Sequence, residues 1–199
     1  LKRREGRNAK DIHTSGRHLL ALTNDILDRA RMDAGQLAVQ DERVDLGRLC
    51  GEVIRLMQRQ SEMAGLTMAL TLTPPSPAIR ADHRRLRQIL LNLAGNAVKF
   101  TPAGECISIL AEVSPGAVAV RVTDTGTGIA PDRIPDLGRP FVQINDNVLT
   151  RPHQGSGMGL SISRVLAELH GGMVLIQSQP EAGTEVTLSL PLLEQITLS

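Results

Sequence analysis

The sequence predicts an α/β two-layer sandwich, with helices on one face of a mixed, mainly antiparallel sheet and one long helix preceding it. Two observations predict the sandwich. The apolar pattern switches between a period of 3.6 and a period of 2 in the order helix, strand, helix, hairpin, long loop, helix, hairpin. No strand leads into G-x-G-x-x-G at the start of a βαβ unit, and no G-x-x-x-x-G-K-[ST] occurs, so the pattern is not that of a doubly wound nucleotide fold. A third observation predicts the preceding helix. Ile12, Leu19, Leu22 and Ile26, widened by Leu20 and Leu27, form a heptad-like stripe over residues 8–33 that one helix cannot bury by itself.

The bulk numbers agree with this class. A chain of 199 residues, 41% hydrophobic and 22% charged, holds one well-buried domain and an appendage, which excludes disordered and fibrous classes. The net charge of +1 gives no global argument for nucleic acid or acidic lipid, and the basic run Lys2, Arg3, Arg4, Arg7 and Lys10 reads as a solvated helix start. Cys50 and Cys106 match no metal-ligand spacing and are expected to be small buried hydrophobes in a reducing compartment. No run of about 18 apolar residues and no signal-like segment occurs, so the expectation is a cytoplasmic chain without membrane contact. Leu rather than Met at position 1 suggests a fragment of a longer protein.

Taken in order, Ala34-Gly35 ends the first helix and residues 35–43 read as a connector. A second amphipathic helix covers 45–64, with Gly65 as its stop. "LTMALTLT" is an alternating strand, followed by a turn at Pro74, Pro75 and Pro77. Residues 84–100 form a helix whose apolar stripe is Leu86, Leu90, Leu93, Ala97 and Phe100. Its other side carries Arg85, Gln88, Asn92, Asn96 and Lys99. "CISILAEV" and "AVAVRVTD" are strands joined by Ser114-Pro115-Gly116. Residues 130–159 show little periodicity and read as a lid. A helix over 158–170 is stopped by Gly171-Gly172, and "MVLIQSQ" and "GTEVTLSLPL" close the core.

Three constellations carry chemistry. Asparagine costs roughly 0.5 kcal/mol or more relative to alanine in a helix, yet "NLAGNAVKF" places Asn92 and Asn96 one turn apart, with Lys99 one turn later. Amide oxygens are hard neutral ligands suited to Mg²⁺, and Lys99 can meet a phosphate as a point charge. A solvated polar face is the alternative, and the helix alone does not decide between them. "TDTGTGI" puts Asp124 at a strand end, where a buried carboxylate can accept a hydrogen bond from an exocyclic amine such as that of adenine. Gly126 and Gly128 let the backbone turn and approach a ligand. A plain Asp-Gly turn is the bland reading. "GSGMGLSIS" opens a glycine-rich loop into a helix, whose free N–H groups and dipole suit phosphate. Alone it is weak, but it follows the other two in order.

The series "RQILLNLAGNAVKFT", "DTGTGI", "GRPFVQI", "GSGMGL", "LAELHGG" and "GTEVTLSLPL" closely resembles the catalytic, ATP-binding domain of bacterial two-component sensor histidine kinases, from about Val44 to Leu192. The resemblance implies the Bergerat-type fold of the histidine kinase, gyrase, chaperone and mismatch-repair ATPases. It also implies four segments: 1–34 as the second helix of a dimerisation and phosphotransfer hairpin, 35–43 as connector, 44–193 as catalytic domain and 194–199 as tail. In the site, it implies Asn96 as the principal Mg²⁺ ligand supported by Asn92, Lys99 on phosphate, and Asp124 on the adenine amine within a pocket shaped by Gly126, Gly128 and Ile129. Gly155, Gly157, Met158, Gly159 and Leu160 would wrap the triphosphate. Phe141 would pack under the lid, and Arg151 in the lid would meet the γ-phosphate. ATP and Mg²⁺ are the implied cofactors. The implied partners are a response-regulator receiver domain, the kinase's own phosphoacceptor hairpin and a second copy of the full-length protein.

In the hydrolysing branches of the superfamily the position matching Asn92 is typically a glutamate that activates water, and an amide cannot serve as that base. The family's acceptor context, such as H-[ED]-x-[RK]-x-P, is absent. His13 and His18 lie on the expected second hairpin helix, His83 opens the asparagine helix as a solvated residue, His153 is in the lid, and His170 ends a helix where the dipole favours it. The 199-residue chain is therefore expected to bind Mg²⁺-ATP without labelling itself, and to dimerise poorly with half its bundle missing. Met158 stands where the family more often has Leu, and Arg139 where it often has an acidic residue.

Overall fold

The computed structural model describes Gly16, Thr23, Leu27, Ala30 and Ala34, and residues 37–73, 78–114, 116–138 and 157–192. The chain divides into two compact units, Leu1–Ala38 and Val39–Ser199. In the first, Gly16, Thr23, Leu27 and Ala30 are helical and exposed, Leu27 although it was assigned to the apolar stripe. The apolar residues Ile12, Leu19, Leu20, Leu22 and Ile26 lie outside the described residues.

Among its described residues the second unit holds a five-stranded sheet and three α-helices. The strands are β2 (Thr67–Leu72), β4 (Cys106–Ser114), β5 (Ala117–Asp124), β6 (Met173–Gln179) and β7 (Gly183–Pro191), in the order β2-β4-β5-β7-β6. β2 runs parallel to β4 and every other pair is antiparallel, which gives the mixed, mainly antiparallel sheet that the sequence predicts. The helices are α1 (Leu46–Ala64), α2 (His83–Phe100) and α3 (Gly159–Leu169). α1 is capped by Asp45, whose carboxylate accepts the Arg48 N–H, and ends at Gly65 in the left-handed region, φ 71°.

The core lies between the helices and one sheet face. Ile107, Ile109, Ala111, Val118, Val120, Val122, Leu188 and Leu190 alternate inward along the strands to meet Leu49, Val53, Leu86, Ile89, Leu90, Leu93, Ile162 and Leu166. Each fully buried Leu or Ile contributes about 1.5–3 kcal/mol. The outward face is polar at its centre, where Arg121 pairs with Glu112 at 2.6 Å and lies 3.7 Å from Glu185.

Several expectations need correction. A second, two-stranded sheet pairs β1 (Glu42–Asp45) with β3 (Ala78–Ala81), so Glu42 and Arg43, expected in the connector, are strand. Four-residue strands are too short for a period-2 pattern to stand out. Phe100, assigned to the apolar stripe, is 45% exposed with its ring 4.8 Å from the Lys99 ammonium, while Arg85, assigned to the polar side, is only 6% exposed. Cys50 is buried, and its thiol is pushed up to about 12 by burial and then by nearby Asp45, but Cys106 is exposed. Within the segment read as lid, Pro131–Asp136 forms a 3₁₀ helix with proline at its start; residues 139–156 lie outside the described residues.

Candidate functional site

α2 organises the site. Its N-cap is Asp82, which is 3% exposed, and one carboxylate oxygen accepts the Arg85 N–H at 3.0 Å. The other oxygen accepts the Gln40 N–H at 3.1 Å, fastening the segment before β1 to the start of the helix. Burial pushes the Asp82 carboxyl up, but these two N–H donors and the charges of Arg84 and Arg85 outweigh it and hold it below the usual value. The backbone N–H of Asp82 in turn donates to His170 Nε2 at 3.1 Å, while His170 Nδ1 lies 2.7 Å from the Leu166 carbonyl. A carbonyl only accepts and an N–H only donates, so both bonds are made by the neutral Nδ1–H tautomer. His170 is thus a tie between the end of α3 and the start of α2, rather than a cation at a helix dipole. His83, expected to be a solvated first-turn residue, has an exposed side chain and lies 3.5 Å from Glu52, which also accepts from Arg87 at 2.8 Å.

Ten residues on from Asp82, about three turns into α2, Asn92 makes a second tie between the same helices. Its Nδ2 donates to the Gly159 carbonyl at 3.2 Å and lies 3.4 Å from Ser163 Oγ. The two ties lie at opposite ends of α3, so α2 and α3 run antiparallel and the glycine-rich start of α3 is held against the middle of α2. Asn96, one turn beyond Asn92, is exposed, and among the described residues its amide has no hydrogen-bonding partner. Lys99 follows, half-buried, its pKa lowered by burial.

The far end of α2 meets the Asp124 loop. Asp124 ends β5 between β4 and β7, 8% exposed, and accepts the N–H groups of Gly126, at 2.9 Å, and Thr184. Burial dominates and raises its pKa despite those two donors. Gly126 and Gly128 were expected to permit approach of a ligand; what crowds them is the protein's own backbone. A Cβ on Gly126 would stand 2.7 Å from the Phe100 carbonyl, and one on Gly128, φ 66°, would stand 1.8 Å from the Gln179 carbonyl.

The described site residues therefore fall along one helix. Asn92, bonded to Gly159 at the start of α3, which Gly157 and Met158 lead into and Leu160 follows, occupies the middle; Asn96 and Lys99 follow; the loop after Asp124 meets the end at Gly126, while Gly128 and Ile129 lie against Gln179 and Ser178. Phe141, Arg151 and Gly155 lie outside the described residues. Among the described residues no group of three His, Cys, Asp or Glu could hold a metal ion. The exposed, unpartnered amide oxygen of Asn96 is a hard donor that fits a Mg²⁺ keeping its waters and taking its other ligands from phosphate oxygens, while the Lys99 ammonium can meet only the phosphates. Asp82, Ser163, Ser178 and Thr184 were not singled out from the sequence, and His170 was read only as a helix end. All five are joined to the site by hydrogen bonds between residues distant in the chain, which no local spacing reveals.

Residues 81–194, more than half of the chain, match the family described as histidine kinase-, DNA gyrase B-, and HSP90-like ATPase. The histidine protein kinase DivJ of Caulobacter vibrioides is 39% identical over 193 residues, covering 97% of this chain and 32% of that protein. The cell-division control histidine kinase PdhS of Brucella suis is 36% identical over 190 residues, covering 92% and 18%. Among solved structures, full-length ShkA in complex with AMPPNP superposes with a TM-score of 0.81 at 37% identity, covering 92% of this chain and 37% of that one. The chain thus spans well under half the length of these relatives. With the fold, the order of the boxes and these matches in agreement, the chain belongs to the histidine kinase-, DNA gyrase B- and HSP90-like ATPase family and carries the ATP-binding catalytic domain of a sensor histidine kinase.

Proposed function

We propose that the chain binds Mg²⁺-ATP along α2 and, as part of a longer homodimeric kinase, transfers the γ-phosphoryl group to a histidine of that kinase's phosphoacceptor hairpin. The phosphoryl group then passes to the aspartate of a response-regulator receiver domain, and the reading assigns the reaction to the cytoplasm, where ATP is available. One observation carries it: the row Asn92, Asn96, Lys99 lies between the buried carboxylate of Asp124 and the glycine-rich start of α3.

Each group has a task along that row. Asp124 accepts from the exocyclic amine of adenine. The first N–H groups of α3, which have no partners within the helix, receive phosphate oxygens. Lys99, partly desolvated, places its charge on the chain of phosphates, and Asn96 offers its free amide oxygen to Mg²⁺. The bound metal supplies charge neutralisation on the phosphates. In the transfer, an imidazole nitrogen forms the N–P bond as the bond from γ-phosphorus to the bridging oxygen breaks, and ADP leaves with the electron pair. Asn92 supports transfer over hydrolysis, because its Nδ2 is committed to the Gly159 carbonyl and an amide takes no proton from water.

The test is titration calorimetry with AMPPNP and Mg²⁺, paired with phosphotransfer in trans to a supplied acceptor hairpin. Asn96→Ala should abolish Mg²⁺-dependent binding and transfer while leaving the melting temperature unchanged, since its side chain is exposed and unpartnered. Unaltered affinity and transfer would sink the assignment of Asn96, and steady turnover without acceptor would replace the kinase reading with that of a hydrolysing ATPase.

A further inference from the structure

The turn between β6 and β7 lies against the Asp124 loop along its whole length. The Glu181 N–H donates to the Thr127 carbonyl at 2.8 Å, and the Ile129 N–H donates to Ser178 Oγ at 2.9 Å. Ser178 Oγ also lies 2.8 Å from the Gly183 carbonyl and 2.9 Å from Thr184 Oγ1. A serine hydroxyl has one proton and two lone pairs. The Gly183 carbonyl can only accept, so it takes the proton, and the lone pairs receive Ile129 N–H and the Thr184 hydroxyl. Every hydrogen-bonding capacity of Ser178 is then used within this junction.

The same turn touches Asp124 directly. Thr184 donates its backbone N–H to the Asp124 carboxylate. A Cβ on Gly183 would stand 2.0 Å from the Asp124 carbonyl, and one on Gly128 would stand 1.8 Å from the Gln179 carbonyl, so the two segments meet backbone to backbone. The end of α2 backs the loop at Gly126, and the 178–184 segment backs it from Thr127 to Ile129, with Ser178 as the pin.

We infer that Ser178 is a positioning residue for base recognition: its hydroxyl fixes the 124–129 loop against the β6–β7 turn and so sets how sharply Asp124 selects a base with an exocyclic amine. The inference rests on the reading of Asp124 given above. Removing the hydroxyl frees the Ile129 N–H and the Thr184 hydroxyl at once, and a loop free to drift holds its carboxylate out of register with the base.

The test compares dissociation constants of ATP and of purine riboside triphosphate, which lacks the amine, for the whole chain with Mg²⁺. The wild-type chain should prefer ATP, and Asp124→Asn should lower that preference. Ser178→Ala should lower the ratio about fivefold to tenfold, as expected for one hydrogen bond lost at a recognition site. Ser178→Thr, which keeps a hydroxyl, should restore most of it, and Gln177→Ala, on the outward face of the same strand, should leave it unchanged. A general loss of folded protein lowers the number of sites and leaves the ratio alone, so the ratio separates positioning from stability. A Ser178→Ala ratio equal to wild type, while Asp124→Asn lowers it, would overturn the inference and leave the Asp124 reading intact. A wild-type chain that binds both nucleotides alike would overturn the Asp124 reading and the inference with it.

Discussion

Asn92→Asp is nearly isosteric, yet it reverses the chemistry of the tie between α2 and α3. The wild-type Nδ2 donates to the Gly159 carbonyl at 3.2 Å; an ionised carboxylate there has no proton and faces a carbonyl oxygen that also accepts from Ser163 Oγ at 2.9 Å. The lost hydrogen bond is worth about 1 kcal/mol, and a part-buried acceptor left facing another adds about 1–3 kcal/mol. Ser163 can swing its proton towards the new carboxylate, which favours the low end of the sum, about 2–4 kcal/mol. For a folded unit of this size that is a fall of about 4–16 °C in melting temperature. The pH dependence identifies the cause. The protonated acid can donate to Gly159 as the amide does, so folding raises the introduced group's pKa above its unfolded value. Its penalty is therefore full at neutral pH and fades as the pH falls through that raised pKa. Circular-dichroism melts of both chains without nucleotide or metal, at pH 7.5 and 4.5, provide the assay. Equal melting temperatures at pH 7.5, or a deficit that stays constant with pH, would refute the reasoning.

Other perturbations read different parts of the same framework. Gly128→Ala meets both a left-handed φ of 66° and the Gln179 carbonyl, whereas Gly104→Ala, φ 94°, has nothing within 4 Å. The Gly104 variant should lose about 1–2 kcal/mol and the Gly128 variant a further 1–3 kcal/mol; equal urea midpoints for the two would contradict the backbone contact. Asp82→Asn removes a carboxylate whose pKa is lowered in the fold, so the stability it contributes is present above its unfolded pKa and lost as the pH falls through the folded one. The variant should trail wild type most at pH 7 and converge with it below about pH 4; a gap that persists in acid would point to packing rather than to the two N–H bonds.

What was legible in the sequence was what repeats with a local period. α1, α2, α3 and the five strands of the main sheet announce themselves by alternation or by a 3.6-residue stripe, and Asn92, Asn96, Lys99 and Asp124 by their placement within those elements. What escaped depended on partners far along the chain. Arg85 reads as a surface residue by spacing, yet it sits in the first turn behind Asp82, with Nη1 on Gln88. Phe100 reads as core by spacing, yet as the last residue of α2 it is exposed, with its ring beside Lys99. Ser178 is one inward-facing polar residue in an edge strand, and only the fold brings it to Ile129, 49 residues earlier. β1 and β3 pair residues about 35 positions apart, and neither strand is long enough to show its periodicity alone.

The strand order has a consequence for how the domain comes into being on the ribosome. β7, the last strand among the described residues, inserts between β5 and β6 and delivers Gly183 and Thr184 to Asp124. Until that strand emerges, β5 is an open edge with a row of unpaired backbone groups, and the carboxylate assigned to the base lacks the Thr184 N–H. A nascent chain can have every residue of α2 and the glycine-rich loop in place and still be unable to grip a nucleotide. Vectorial synthesis thus leaves the completion of the site to the final hairpin.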